Sequence, residues 1–435
     1  MPISSLIVCL QRALKVFLCM NKFIRTAGML SVGAASLSIQ GIATASEGGV
    51  KPWSVGASLR GFYDDNIYTR PNGPAKIDSF GFEVSPNLSY AAKYDATSVS
   101  LSYAYSAKYY ATSKADNAWD QGHAVNASLQ HEFNQRLSLS ASDAFAVTRE
   151  PQELFSGLVY RTQGNNLNNQ AQVSLSYQIS PLWSAVIGYH NGYYDYDNAV
   201  YQAALNRIEH LPSLNLRYQI APLTVGVLGY QYGSVVHDGN LTLSGVPGSL
   251  SASARDNTSH YFFGGLDHTF SPDLSGAVRA GAQITKYDYN GPAGVRYGET
   301  SPYADANLKY AFAPGSSFQI GVRHQRNATD VTLNFSGDIV QDQESTGVYG
   351  TLRHQISGKL GAHLTAQYQD SKFHGGGPTI DGKSETFFTI GGGLDYQISA
   401  NLSAEASYSY DDLSSNLLAR GYTRNRVFLG IRASY

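Results

Sequence analysis

The sequence predicts an all-β fold: a transmembrane, antiparallel, up-and-down β-barrel of about 18 strands. Three observations predict it. Apolar and polar residues alternate with period two over runs of more than ten residues. The runs are joined alternately by tight turns and by long polar loops. The composition is aromatic and weakly charged: of 435 residues 31 are Tyr and 43 are Gly, and charged residues make up 15%, against about 25% in an average soluble protein. No run of 18 or more apolar residues follows residue 45, which excludes helical membrane spans there. The aromatic content excludes a disordered chain, and two cysteines are too few for a disulfide scaffold.

The first element is a leader. Met1, Met20, Met29, Cys9 and Cys19 all lie in the first 29 residues. Residues 1–45 carry Arg12, Lys15, Lys22 and Arg25 and no Asp or Glu, and they end in Ala43-Thr44-Ala45. A basic start, an apolar small-residue stretch and an A-x-A ending read as a signal peptide over 1–45. Counted from Met20 to Ala45 the leader has 26 residues, a usual length. Met20 is thus the expected start, and the precursor mass decides it. The alternative is a membrane anchor, for which the apolar stretch is short and broken by Ser, Gly and Gln. Neither cysteine follows a small residue, so a lipoprotein signal does not fit. Residues 46–52 read as a short periplasmic segment and 53–435 as the barrel. Removing four leader cations from 31 leaves 27 basic against 33 acidic residues, a net of −6. No basic excess attracts nucleic acid.

The strands come next. Residues 80–94 put Phe80, Phe82, Val84, Pro86, Leu88, Tyr90, Ala92 and Tyr94 on one face, and Glu83, Ser85, Asn87, Ser89 and Lys93 on the other. Residues 99–109 repeat this with Val99, Leu101, Tyr103, Tyr105, Ala107 and Tyr109. Such runs exceed the usual soluble strand of about five or six residues. They fit a tilted transmembrane strand of about 9–11. A propeller or solenoid would share the repeat but not the run length.

Similar turns recur: Ile179-Ser180-Pro181-Leu182, Ile220-Ala221-Pro222-Leu223, Phe270-Ser271-Pro272-Asp273, Phe312-Ala313-Pro314-Gly315, Ile356-Ser357-Gly358-Lys359 and Ile398-Ser399-Ala400-Asn401. Two further turns fall near Asp95 and Asn134. Long polar connections lie near 64–78, 111–120, 148–164, 194–206, 233–257, 287–299, 326–341, 370–384 and 411–423. An even strand count places both termini on the short-turn side, expected to be periplasmic. Closure follows from solvation. In hydrocarbon an open sheet edge would leave a row of backbone groups unpaired. The loop at 233–257, rich in Gly and Ser, is the one expected to narrow the pore if any does, though a loose external loop is the simpler expectation.

The last strand places Val427, Leu429, Ile431, Ala433 and Tyr435 on one face. An aromatic final residue with apolar residues at alternate positions resembles the terminal signal read by the outer-membrane barrel assembly machinery. Two further stretches are Tyr63-Asp64-Asp65-Asn66-Ile67-Tyr68 and, near the end, Ser415-Asn416, Gly421-Tyr422 and Arg424-Asn425-Arg426-Val427-Phe428-Leu429-Gly430. Both resemble the putative β-barrel porin 2 family and related outer-membrane barrels. The resemblance implies a Gram-negative outer-membrane barrel surrounded by lipid and lipopolysaccharide. Some members are linked to exopolysaccharide export, which makes polysaccharide-export components expected partners. No catalytic residues come with it.

Opposite the apolar face, the expected lumen wall carries Arg60, Lys93, Lys108, Arg217, Arg279, Lys309, Arg323, Arg353, Arg426 and Arg432. Its acids are Glu83, Glu132, Asp267, Asp305, Asp395 and Glu405. The excess is cationic, and rings of one charge set ion preference. The expectation is a weak anion preference, against the alternative of charges paired only to hold the wall.

Catalytic and metal chemistry is not signalled. Asp64 and Asp65 are adjacent, so in an extended chain they point opposite ways, and calcium needs six or more oxygens. His131, His268 and His354 each precede a turn on the apolar face. His123 and His324 sit near the other ends of their strands, and both heights suit interfacial rings. There is no HExxH, GxSxG or phosphate loop. No metal or other cofactor is expected. The expected function is a porin-like channel for small polar or anionic solutes. A non-conducting structural or surface-binding barrel is the alternative, and a barrel-embedded hydrolase such as a phospholipase is a more distant one.

Overall fold

The computed structural model describes residues 51–112, 118–150, 155–162, 164–289, 298–334 and 336–435. The leader at 1–45 and most of the 46–52 segment lie outside the described residues. Eighteen strands form one sheet. In order they are β1 (Trp53–Asp64), β2 (Ser79–Lys93), β3 (Thr97–Tyr110), β4 (Trp119–Asn134), β5 (Leu137–Thr148) and β6 (Asn166–Gln178). Then come β7 (Trp183–Tyr196), β8 (Arg207–Ala221), β9 (Thr224–His237), β10 (Asn257–Ser271), β11 (Leu274–Tyr287) and β12 (Gly298–Ala313). The last six are β13 (Ser316–Asn327), β14 (Val340–Gln355), β15 (Leu360–Gly375), β16 (Ser384–Ser399), β17 (Leu402–Ser415) and β18 (Tyr422–Ser434).

Each strand pairs antiparallel with its sequence neighbours, and β1 closes on β18 from Gly56↔Ser434 to Asp64↔Arg426. The sheet therefore has no edge, which solves the backbone problem of a membrane strand. The strand count and the alternation of short turns with long loops agree with the sequence reading. Four strands run further into expected loops, to Tyr196, His237, Gly375 and Ser415. Polar residues there still pair along the ladder once a neighbour stands beside them.

The barrel has an apolar outside. Leu59 is 52% exposed, Phe80 68% and Leu429 63%, a cost in water that lipid removes. Two levels of histidine cross this surface, with exposed aromatic residues such as Trp119, Phe133 and Phe270 beyond them. Near the short turns, Thr97 bonds His131 (2.7 Å), Thr224 bonds His268 (2.8 Å) and Ser316 bonds His354 (3.0 Å). Toward the long loops, Tyr103 bonds His123 (3.0 Å), Tyr189 bonds His210 (2.6 Å) and Tyr230 bonds His260 (2.8 Å). In every pair the hydroxyl comes from the adjacent strand. Small apolar clusters gather instead around the long loops, such as Leu158, Tyr194, Tyr196, Ala204 and Leu205.

Candidate pore and its constriction

Alternation puts every sequence-predicted charge on the inward face. Glu83 lies opposite Arg60 on β1 and opposite Lys108 on β3. Its carboxylate accepts from Arg60 at 2.7 Å. Glu405 takes Arg432 at 3.0 Å and faces Arg60 at 3.6 Å. A second row crosses the far wall: Asp267 holds Arg217 (2.8 Å) and Arg279 (2.5 Å), and Asp305 holds Arg323 (2.7 Å). Arg426 pairs with Asp411 at 2.7 Å near the long loops.

The remaining charges lie near the short turns and face water. Asp395 meets His363 at 3.3 Å, with both side chains more than 40% exposed. Lys93, Lys309 and Arg353 are exposed, as is Glu132. No ion pair of these three cations is found among the described residues. The wall is thus mostly paired at mid-height and openly cationic toward the short turns.

Loops converge at the long-loop end. The connection between β5 and β6 turns inward, and its described part, residues 155–162, bridges the lumen. At one side the Phe155 amide donates to Gln369 Oε1 on β15 (2.9 Å). Asn327 Nδ2 on β13 donates to the Phe155 carbonyl (3.1 Å). The Phe155 ring fits over Gly347 on β14, where an added Cβ would lie 2.5 Å from it, and it stacks near the Arg323 guanidinium. At the other side Arg161 donates to the Ile67 carbonyl (2.5 Å) and pairs with Asp120 on β4. β4 and β14 lie ten strands apart in a ring of eighteen, so the two anchors are almost opposite. Six residue steps reach about 20 Å, and the two long side chains complete the span.

Between the anchors the bridge is fastened at several points. Arg207 Nη2 donates to the Ser156 carbonyl (3.2 Å), and the Tyr422 hydroxyl to the Val159 carbonyl (2.6 Å). Gly157 adopts φ 86°, and a Cβ there would lie 2.6 Å from the Ala328 carbonyl oxygen. Phe155 sits at φ 68°, a left-handed conformation that costs a non-glycine residue about 1–3 kcal/mol and persists only where its surroundings over-determine it. Glu150, at the base of the bridge, is held by Arg424 (2.5 Å), Arg161 (3.2 Å) and Arg426 (3.6 Å). Burial alone would raise its carboxyl, but Arg424, Lys108 and Arg161 together hold it well below the usual glutamate range.

The loop expected to narrow the pore was that at 233–257. It begins only after His237, and its Leu243, Ala252 and Ala254 pack on Ile339 of the β13–β14 connection. Arg255, fully buried, donates to the carbonyls of Ala204 (2.6 Å), Thr329 (2.7 Å) and Gln341 (3.3 Å). The loose external loop is thus corrected as well. Three carbonyls satisfy the guanidinium and tie this loop to two others.

The two sequence stretches that carried the family resemblance meet at the β1–β18 seam. Arg424 donates to both Asp64 oxygens, Nη2 at 2.5 Å and Nε at 3.0 and 3.1 Å. Asp65 turns the other way, as adjacency requires, and accepts from the Asn425 amide and Nδ2, each at 2.7 Å. Asn66 Nδ2 reaches the Thr423 carbonyl at 3.0 Å. Both aspartates therefore serve the seam. Periodicity marked Arg426 but missed Arg424, Glu150, Arg161, Asp120 and Phe155. Arg424 lay inside the second stretch, which gave it no partner, and no signal in the sequence reading pointed to the other four. On β18, Val427, Leu429, Ile431 and Tyr435 are exposed on the outward face, in the same alternation as Ala433. Tyr435 packs beside Trp53, its backbone paired with Val55.

The family model described as putative beta-barrel porin 2 matches residues 253–435, a stretch that includes Arg424–Gly430 but not Tyr63–Tyr68. The chain is a closed eighteen-stranded β-barrel, and its carboxy-terminal part is similar to that porin family. No curated protein matches it. Among solved structures it is similar to OpdK of Pseudomonas aeruginosa with vanillate, at 11% identity and a TM-score of 0.44, over 89% of this chain and 100% of that one. It is also similar to OccAB4 of Acinetobacter baumannii, at 14% identity and a TM-score of 0.41, over 88% of this chain and 99% of that one. The siderophore receptor PirA of Pseudomonas aeruginosa aligns at 10% identity and a TM-score of 0.39, over 88% and 80%.

Proposed function

We propose that this barrel is a narrow diffusion channel for small polar or anionic solutes, with its short turns facing the periplasm. The observation that carries the reading is the inner wall. It is lined by paired arginines at mid-height and by Lys93, Lys309 and Arg353 in open water at one end. A charged ring in a low-dielectric wall sets ion preference, and the bridge at 155–162 sets the width. The test is planar-bilayer recording with a salt gradient. Small conductance steps with a reversal potential on the anion side are expected, and clear cation selectivity refutes the anionic part.

The density of fastenings around the bridge favours a second reading, a non-conducting surface barrel. Absence of any conductance, with steps appearing once residues 155–162 are deleted, would select it. We read the chain as a channel rather than a hydrolase. Lipid hydrolysis in detergent, blocked by a serine-directed inhibitor, would overturn that. A link to anionic polysaccharide export is the finer form of the proposal. Acidic oligosaccharides that block the conductance support it. The outward residues of β18 are proposed to engage the assembly machinery, and the apolar belt lipid and lipopolysaccharide.

A further inference from the structure

One seam of the barrel is zipped over only part of its height. Toward the long loops, the last backbone pair between β12 and β13 is Ala304↔His324. Beyond it β12 runs on for six residues, Gly298–Tyr303, paired only with β11. β13 runs on for three, Gln325–Asn327, paired only with β14. In no other neighbouring pair among the described residues does the ladder stop more than four residues short of a strand's end. Pro302 stands in the open stretch. It has no N–H to give a ladder, and proline in a sheet belongs on an edge.

The opening lies at the membrane surface. His260 shares a register row with Ile284 and Thr300, and His324 lies opposite Ala304, so the upper histidine level crosses β12 between Thr300 and Ala304. Side chains hold the two strands where the ladder does not. The Arg326 N–H donates past β12 to Gln283 Oε1 on β11 (3.0 Å). The Arg326 guanidinium reaches Ser301 Oγ across the seam (3.1 Å) and both Asp342 oxygens on β14 (2.8 and 2.9 Å). Behind the seam, on the inward face, Tyr303 packs against Tyr261 and Phe263, with ring centroids 5.5 Å apart in each case. In a wall of arginines and carboxylates these three buried rings form an apolar patch.

We propose that the β12–β13 seam is a lateral portal, through which a single-chain amphipathic acid moves between the lumen and the leaflet at the long-loop end. This goes beyond a channel for polar solutes and does not require the pore to conduct ions. Three features select the ligand. The opening lies at the depth where the carboxylate of such a molecule sits. Arg326 supplies a cation within the seam, and an incoming carboxylate replaces Ser301 and one Asp342 oxygen on it, in the paired geometry a guanidinium favours. The chain then leaves lipid for Tyr303, Phe263 and Tyr261, so its apolar surface stays out of water along the path. Opening breaks side-chain bonds and no backbone ladder, so β12 stays paired with β11 and β13 with β14.

The test is photolabelling of the full chain with a diazirine-bearing dodecanoic acid, in nanodiscs of phosphatidylethanolamine and phosphatidylglycerol, followed by peptide mapping. Label should concentrate on 298–304 and 324–327, at least fivefold above 207–210 and 234–237, which form the zipped β8–β9 seam at the same end. It should include the inward Tyr303. Unlabelled dodecanoate should compete, and dodecanol, which has the chain without the charge, should compete poorly. Arg326→Met should cut the labelling at least fivefold, whereas Lys286→Met, at an exposed position on β11, should leave it unchanged. Label spread evenly around the barrel, label confined to the outward Thr300 and Pro302, equal competition by dodecanol, or labelling unchanged by Arg326→Met would each overturn the proposal. If Arg326→Met loses the heat-modifiable band of the folded barrel, the comparison of the two seams and of the two competitors in the unaltered chain still decides.

Discussion

Replacing Arg424 with methionine should destabilise the closed barrel more than any other single change at the seam. Its side chain is 1% exposed, and that of Asp64 is 2% exposed. Arg424 makes three contacts with Asp64 and two with Glu150. Methionine keeps the length and apolar stem but strands two buried carboxylates. Breaking a buried pair by removing one partner costs about 3–5 kcal/mol. Glu150 keeps Arg161 and Arg426, whereas among the described residues Asp64 keeps only the Asn66 amide at 3.0 Å. The loss should therefore fall near the lower end, about 3 kcal/mol, or roughly a hundredfold in the folding constant. The assay is urea unfolding in detergent micelles followed by fluorescence of Trp53, Trp119 and Trp183. Adding Asp64→Ala should recover part of the loss, because the stranded anion goes with it. Added salt alone should not reproduce the effect, since buried pairs are weakly screened. A loss below about 1 kcal/mol, the value of an exposed pair, would refute the seam as a buried lock.

Further outcomes follow from the pore. Gly347→Val should expel the Phe155 ring from its slot and raise single-channel conductance without loss of the barrel's heat-modifiable band. The triple change Lys93→Gln, Lys309→Gln and Arg353→Gln removes cations for which no ion pair is found among the described residues. It should shift the reversal potential toward cations and leave urea stability unchanged. Glu150 has a depressed carboxyl, so its contribution is present above the ordinary value of 4.5 and is lost as pH falls through the lower, folded-state value. Limited proteolysis of the bridge should therefore be unchanged from neutral pH down to that ordinary value, and cleavage should rise only at more acidic pH.

The barrel was legible because its signal is local. A period of two is imposed by the pleat, and each turn announces itself within four residues, as at Ile179–Leu182. The histidine levels were legible for the same reason, since His131 and His268 stand two residues before their turns. The bridge was not. Phe155 and Arg161 lie in a polar connection without periodicity, and their partners Gln369 and Asp120 come from strands on opposite sides. The Asp64–Arg424 pair spans 360 residues, so neither residue reveals the other. Short shared stretches marked the place but not the contact.

The spacing of the two histidine levels has a bearing on which bilayer suits this protein. His123 and His131 share β4; eight steps of about 3.3 Å give about 26 Å along the strand, and a tilt of about 40° reduces this to roughly 20 Å of height. Trp119 and Phe133 are exposed on the outward face of the same strand beyond both histidines; fourteen steps give roughly 35 Å of height, so a bilayer of about 30 Å leaves both rings near its interfaces. The histidines then lie just beneath the headgroups, and a much thicker bilayer would draw Trp119 and Phe133 under, at a cost of fractions of a kcal/mol per ångström.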